Sequence, residues 1–459
     1  MKYTEEQEAA ISDCLDFIHD KLDPRPHFTL TGSPGTGKTV SVRGILEKCQ
    51  GYNIAAVTVS HVAKNILAEN LHGLNVQPLT IAKLVGAIPN MNKSRNDVQF
   101  TINKNLSRIH LFDIVVVDEC SMIDAFHYKA LMNNKRPHTK LIFVGDKNQL
   151  PPVEGQGVDS LTLATIDAQL NKVMRFKGPI AEIVEEAKRQ IELASAGKHS
   201  NPHFINTMFG ATGRESKMTE STGYIFLNKN MQMFDLFIQE YLQDPDNINN
   251  TRILLFRNDF VTLANEVIRK KLYGENNLSQ FELGELIVSN GGFRHGKIPV
   301  IHNRETYKVR KITDDIMIGN VACISLVLEP KPHAQHPIIT PSIARGGMAQ
   351  FHKNLKKLAD QCKQTGFWKP YHAYKGKFSW WDYTYAQNLY LAQGKTYNSV
   401  FVVESEIQDV KPLQLKQKLQ ALYVGLSRAK ERLYIYNKKY KADGTTYINR
   451  ESFTELFNN

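Results

Sequence analysis

The chain has 459 residues, 57 Lys and Arg against 46 Asp and Glu, a formal charge of +11, and 42% hydrophobic residues. That length predicts two to four domains with sizeable cores. No apolar run is long enough to span a bilayer. The first residues lack a basic region followed by an apolar stretch, and Cys14, Cys49, Cys120, Cys323 and Cys362 form no C-x-x-C pair. The sequence therefore argues against a membrane span, a secretory leader, a disulfide framework and a zinc cluster, and for a reducing cytoplasm. A basic balance suits a polyanionic partner, most often nucleic acid; simple solubility is the other reading.

The first informative stretch is HFTLTGSPGTGKTVSVRGILEKC, His27 to Cys49, which reads as strand, loop and helix. Its loop, Gly32, Ser33, Pro34, Gly35, Thr36, Gly37, Lys38 and Thr39, fits G-x-x-x-x-G-K-[ST]. Glycines let backbone N–H groups curl around phosphate oxygens, and the helix N-terminus adds a favourable dipole. Lys38 is expected on the β- and γ-phosphates of ATP, and the Thr39 hydroxyl on Mg2+. The polar stretch Asn90 to Asn105, with Phe100 among alternating residues, reads as a hairpin.

FDIVVVDECSM follows, with a β-branched run from Ile114 to Val117 ending in Asp118 and Glu119. This pattern predicts a buried parallel strand with acids at its C-terminal end, where open α/β sheets bind ligands. Asp118 is expected to hold Mg2+ through water, and Glu119 to deprotonate an attacking water. A third strand, Leu141 to Val144, ends in Gly-Asp-Lys-Asn-Gln, which sets Gln149 level with the other strand ends to sense a γ-phosphate.

The order of these three segments resembles motifs I, II and III of superfamily 1 helicases. Further stretches fit in order. TVSHVAKNIL (from Thr58) resembles motif Ia and PLTIAKLVG (from Pro78) motif Ib, which places Ser60, His61 and Thr80 on DNA. LNKVMRFKGPI carries Arg175, and LYVGLSRAKERLYI resembles motif VI with Arg428; both are implied arginine fingers. Gln7 stands where the family recognises adenine. ILLFRNDFVTLANEVIRKKLYG resembles the RecD-like subclass and its phage Dda-type members. The resemblance covers nearly the whole chain. It implies two RecA-like domains, a wedge hairpin in the first at about 88–106 with Phe100 on the fork, and a small SH3-like β-barrel in the second. The expected boundaries are 1–170 for the ATP-binding domain, 171–283 and 385–459 for the second RecA-like domain, and 284–384 for the inserted barrel. The overall class is α/β.

A second Gly-Lys-Thr occurs in LYLAQGKTYNS, from Leu389 to Ser399. A phosphate loop needs a glycine five residues before its G-K-T glycine. Leu389 stands there, so this is no second phosphate loop. It falls where the family has motif V: Gln393 and Gly394 match, which puts Gln393 among the implied DNA contacts, while Tyr390 and Leu391 replace a His-Lys pair.

The expectation is an ATP-dependent, single-stranded-DNA-translocating helicase of 5′→3′ polarity. It would act on single-stranded and forked DNA as a cytoplasmic monomer, without membrane, with replication or recombination proteins as partners. A protein-displacing translocase and a P-loop kinase or small-molecule ATPase are the alternatives. The second α/β half, Gln149 and Arg428 speak against the kinase.

Overall fold

Ile-Val-Val-Val at 114–117 offers no polar position in either side-chain phase, so it is stable only with both faces covered. The computed structural model describes residues 2–89, 100–152, 166–174, 178–198, 204–205, 208, 215–227, 233–274, 278–295, 298–329, 337–408, 410 and 413–436. In it, this run is fully buried inside a six-stranded parallel sheet. The strands are β1 (Phe28–Gly32), β2 (Ile54–Thr58), β3 (Val76–Thr80), β4 (Ile114–Val117), β5 (Lys140–Gly145) and β6 (Ala168–Leu170). Their order is β3-β2-β4-β5-β1-β6, with every pair parallel. Helices α1 (Glu5–His19) and α2 (Lys38–Glu47) cover it, with Ile11, Cys14, Phe17, Val42 and Ile45 packed on Phe28, Leu30, Ile142 and Val144.

The second sheet contains β7 (Lys217–Met218), β8 (Gly223–Leu227), β9 (Thr251–Leu255), β10 (Ala386–Asn388), β11 (Tyr397–Val403) and β12 (Ala429–Tyr436). Its order is β10-β9-β11-β12-β8-β7, parallel except where β7 meets β8. Helices α3 (Pro179–Ser195), α4 (Leu389–Ala392) and α5 (Leu415–Leu426) join one core with it, and Leu150 from the first half is buried in that same core.

The chain divides into two compact units. One comprises Met1–Val85, Ser107–Ile268 and Tyr385–Asn459, and so holds both parallel sheets; the other comprises Gly86–Leu106 and Arg269–Thr384. Within the second unit an antiparallel sheet runs in the order Ile338–Ile343, Val321–Leu328, Thr306–Ile318, Leu286–Ser289, Trp381–Tyr383. A bridge between Ser342 and Ser379 joins its two edges, and Ser379 donates its N–H to Pro341 O at 2.7 Å. A buried Arg269–Glu285 pair, at 2.6 and 3.0 Å, sits beside this sheet; Arg269 also donates to Ser279 O, which helps satisfy its charge. In the same unit, Ala87–Pro89 pairs with Phe100–Ile102, Pro89 opposite Phe100. Residues 90–99, most of the expected hairpin, lie outside the described residues.

Candidate nucleotide site between the two parallel sheets

Strands β4, β5 and β1 are neighbours, in a register that sets Val117 beside Phe143 and Thr31 beside Gly145. Their C-terminal loops therefore share one edge. These loops carry Gly32–Thr39, Asp118–Glu119 and Asp146–Leu150, so sheet topology alone gathers the three sequence motifs.

In the glycine loop, Lys38 Nζ donates to Gly32 O (2.7 Å) and Ser33 O (3.1 Å), and Thr36 Oγ1 donates to Ser33 O (2.9 Å). Ser33 and Pro34 are buried, while Gly35 is half-buried with φ at +83°. Gly37 caps α2 at φ +88°, and a Cβ there would lie 2.2 Å from Gln7 Nε2. The left-handed backbone favours glycine here, and any Cβ would also displace the Gln7 amide. Gln7 is 5% exposed; its Nε2 donates to Thr36 O (3.1 Å) and its Oε1 accepts from Thr4 N (3.0 Å). The glutamine expected on adenine thus ties α1 to the phosphate loop. Thr39 stands half-buried in the first turn of α2.

Asp118 Oδ1 accepts from Glu119 N at 3.0 Å. Burial, and then the Glu119 charge, push the Asp118 carboxyl up to about 7, with the Lys38 ammonium acting the other way. Glu119 adopts left-handed backbone, φ +52°, which is uncommon outside glycine and often marks functional positions. Its Oε2 is buried and has no hydrogen-bond partner among the described residues.

The second Gly-Lys-Thr also reaches this site, but not as a phosphate loop. Residues 397–403 after it form strand β11, so no helix N-terminus follows. Gly394 has φ +76°, and a Cβ on it would stand 3.3 Å from Glu119 Oε1. Gln393, expected on DNA, is 9% exposed and its Nε2 donates to Leu150 O at 3.3 Å.

Arg428 is 1% exposed; its guanidinium donates to Val424 O (3.1 Å), Lys395 O (3.2 Å) and Ser427 Oγ (2.8 Å). Burial lowers its pKa and the Glu119 carboxylate opposes that. Arg175 lies outside the described residues. Gln149 is 4% exposed, with Oε1 buried and unpartnered among the described residues; its backbone O accepts from Gln420 Nε2 at 3.0 Å. Tyr423 OH donates to Asp146 Oδ2 at 2.7 Å.

Lys38, Thr39, Asp118, Glu119, Gln149, Gln393 and Arg428 therefore belong to one region, with Gln7 behind the loop. The other expected DNA contacts do not join it. Ser60, exposed, caps helix His61–Asn70 by accepting from Ala63 N (3.1 Å), and the His61 side chain is outside the described residues. Thr80, 7% exposed at the end of β3, accepts from Lys83 N (3.4 Å). Phe100 belongs to the other compact unit. Sequence reasoning missed Gln420 and Tyr423. Their three-residue spacing puts two polar groups on one side of the buried, otherwise apolar stretch Leu419–Leu426, a legible signal.

The AAA domain family matches residues 18–155, and the UvrD-like helicase C-terminal domain family matches residues 383–436. The chain is 25% identical over 309 residues to the ATP-dependent DNA helicase dda of Enterobacteria phage T4, over 62% of this chain and 60% of that protein. It is 23% identical over 452 residues to RecBCD enzyme subunit RecD of Buchnera aphidicola subsp. Schizaphis graminum, over 89% of this chain and 70% of that protein. The chain is thus similar to the RecD/Dda-like superfamily 1 helicases. Against the Pif1 helicase from Candida albicans the TM-score is 0.51 at 16% identity, covering 100% of this chain and 99% of that one, so the α/β fold is shared. Matched residues 18–155 include all three motif loops of the first sheet, and 383–436 include Gly394, Tyr423 and Arg428.

Proposed function

We propose that this chain is an ATP-driven DNA helicase that moves along single-stranded DNA and separates duplexes, with 5′→3′ polarity. The observation that carries the reading is the shared site. A phosphate-loop lysine, an Asp-Glu pair and Gln149 from one sheet meet Gly394 and Arg428 from the other. A kinase needs no such second half.

ATP with Mg2+ supplies the phosphoryl group and the charge that neutralises it. The donor set fits that group: the unpartnered Glu119 Oε2, the Asp118 carboxyl beside Lys38, and the Thr39 hydroxyl, with Thr39 and Asp118 as the residues to hold the ion. Lys38, which donates to the carbonyls of Gly32 and Ser33, has a third N–H donor for a phosphate oxygen, an anionic acceptor that makes a stronger, charge-assisted bond. Glu119 takes the proton of the attacking water. Arg428 stabilises charge from the second sheet's side, and Arg175 is the other proposed arginine finger, an effect worth ~10³–10⁵ in rate in related machines.

The boundaries 1–170, 171–283 with 385–459, and 284–384 describe the domains in this reading. The Ser342–Ser379 edge bridge supports an SH3-like barrel for the insert. The paired Ala87–Pro89 and Phe100–Ile102 strands support a wedge with Phe100 on its flank. Ser60, His61, Thr80 and Gln393 are the proposed strand contacts, single-stranded and forked DNA the partners, and a monomer the acting form. No helix among the described residues is long and apolar enough to cross a membrane. The test is ATP-dependent unwinding of duplexes tailed at the 5′ or the 3′ end. Opening only the 5′-tailed substrate supports the reading; opening only the 3′-tailed one overturns its polarity, and opening neither overturns the helicase.

A further inference from the structure

Positive charge in this chain is concentrated. From Arg345 to Lys377 there are eight Lys or Arg and one acid, Asp360, so +7 of the formal +11 falls within 33 residues. This segment forms two helices, Met348–Thr365 and Lys369–Lys375, in the compact unit that holds the antiparallel sheet.

The two helices sort their residues by chemistry. Phe351, Cys362, Trp368 and Phe378 are 1–4% exposed. Phe351 stacks on Tyr374 with centroids 5.6 Å apart and meets Trp380 edge-on at 5.3 Å. Phe351, Trp368 and Phe378 are therefore spent on the core. Lys353, Lys356, Lys357, Lys369, Lys375 and Lys377 are all exposed. Among the described residues none of these six has a carboxylate partner, whereas Lys363 pairs with Asp360 at 3.2 Å. Lys353, Lys356 and Lys357 follow the spacing that puts residues on one helix face.

A single-strand track needs successive aromatic platforms beside its cations. Here the exposed rings of the segment are Phe367, 55% exposed at the turn between the helices, and His352 on the first helix, which do not follow one another as successive platforms. Unneutralised lysines without a run of stacking platforms suit a polyanion whose bases are already stacked. We propose that this lysine face binds the phosphate backbone of duplex DNA, as a second nucleic-acid surface carried by the unit that holds the antiparallel sheet. The choice of DNA as partner rests on the helicase reading; the surface itself does not need ATP.

The test uses the full chain carrying Lys353→Gln, Lys356→Gln and Lys357→Gln together, and separately Lys369→Gln with Lys375→Gln. Glutamine keeps helix propensity and length. Affinity for a blunt duplex and for one of its strands is measured across salt concentrations, with helix content checked by circular dichroism. Each lost phosphate contact lowers the slope of log affinity against log salt by about 0.9. The triple variant should bind duplex at least about tenfold more weakly at low salt, with its slope reduced by about 2–3. Its single-strand affinity and single-strand-stimulated ATP hydrolysis should match wild type. Unchanged duplex affinity and slope would overturn the proposal, leaving a solvated face. Equal losses for duplex and single strand would also overturn it, assigning the lysines to a general strand track. A wild type without DNA-stimulated hydrolysis would sink the motor reading instead, and the duplex slope would still report on the lysine face.

Discussion

Tyr423 OH donates to Asp146 Oδ2 at 2.7 Å, from the helix before Arg428 to the loop after β5. Both residues are buried, Tyr423 at 0% and Asp146 at 2% exposed. Asp146 also accepts from Asn148 N at 3.0 Å, so one carboxylate shapes its own loop and receives the other half of the site. Two further bonds run the same way, from Gln420 to Gln149 O and from Gln393 to Leu150 O. The loop bearing Gln149 is thus held by three side chains of the second sheet's domain. A nucleotide that shifts this loop must act on that domain, which gives a physical route from hydrolysis to movement.

Tyr423→Phe keeps the ring and removes the bond, leaving a buried charged acceptor short of one donor. Such a loss costs ~1–3 kcal/mol. Chemical denaturation should show that loss. ATP binding should stay near wild type, and DNA-stimulated turnover should fall by more than the unstimulated rate. If both rates fall in proportion, Tyr423 serves stability alone.

At the nucleotide site, Lys38→Ala removes the phosphate-binding charge and Glu119→Gln removes the base while keeping its shape. Both variants should lose turnover, yet only Lys38→Ala should lose ATP affinity. Equilibrium binding and steady-state hydrolysis, measured separately, check this. Wild-type turnover in Glu119→Gln would assign the base elsewhere.

Glu406 is 0% exposed and accepts from Phe256 N (2.8 Å) and Arg257 N, which fixes the chain leaving β9. Burial outweighs both donors and pushes its carboxyl from 4.5 up to about 8. A raised carboxyl means the folded state keeps a proton that the unfolded state has lost. Its stability contribution is therefore complete below 4.5 and lost as pH rises through about 8. Wild type should lose stability across that window relative to Glu406→Gln, as read by urea unfolding at several pH values. Parallel curves would count against a protonated Glu406.

Phe100 is half-buried opposite Pro89, where the described part of the hairpin ends. Phe100→Ala should remove a stacking contact worth roughly 1–3 kcal/mol per base. Unwinding should slow while translocation on single strands stays near wild type. An unchanged ratio of the two rates, at matched stability, would take Phe100 out of the fork.

Much of the first half was legible because its signals are local. An apolar strand followed by a glycine loop or an acidic pair identifies itself within a dozen residues, and parallel topology then gathers Lys38, Glu119 and Gln149. The failure of the second Gly-Lys-Thr as a phosphate loop was equally local, being a matter of one missing glycine at Leu389. What escaped is set by distance. Tyr423 meets Asp146 across 277 positions and Gln420 meets Gln149 across 271, and no window on the sequence contains both partners. Gln7 is a mixed case. The motif implies an adenine contact for it, whereas its bond to Thr36 O behind the phosphate loop depends on how α1 packs on α2. Gln393 was read as a strand contact from its motif, whereas its burial against Leu150 follows from packing of the two sheets' domains.

The most direct test of the central claim is the steady-state rate of ATP hydrolysis by the wild-type chain, with and without a single-stranded oligonucleotide. One nucleotide site coupled to a DNA track predicts a low basal rate, strong stimulation by the single strand, and loss of both in Lys38→Ala. A rate indifferent to DNA would contradict the account, since the two-sheet site would then be hydrolysing ATP without a strand to move along.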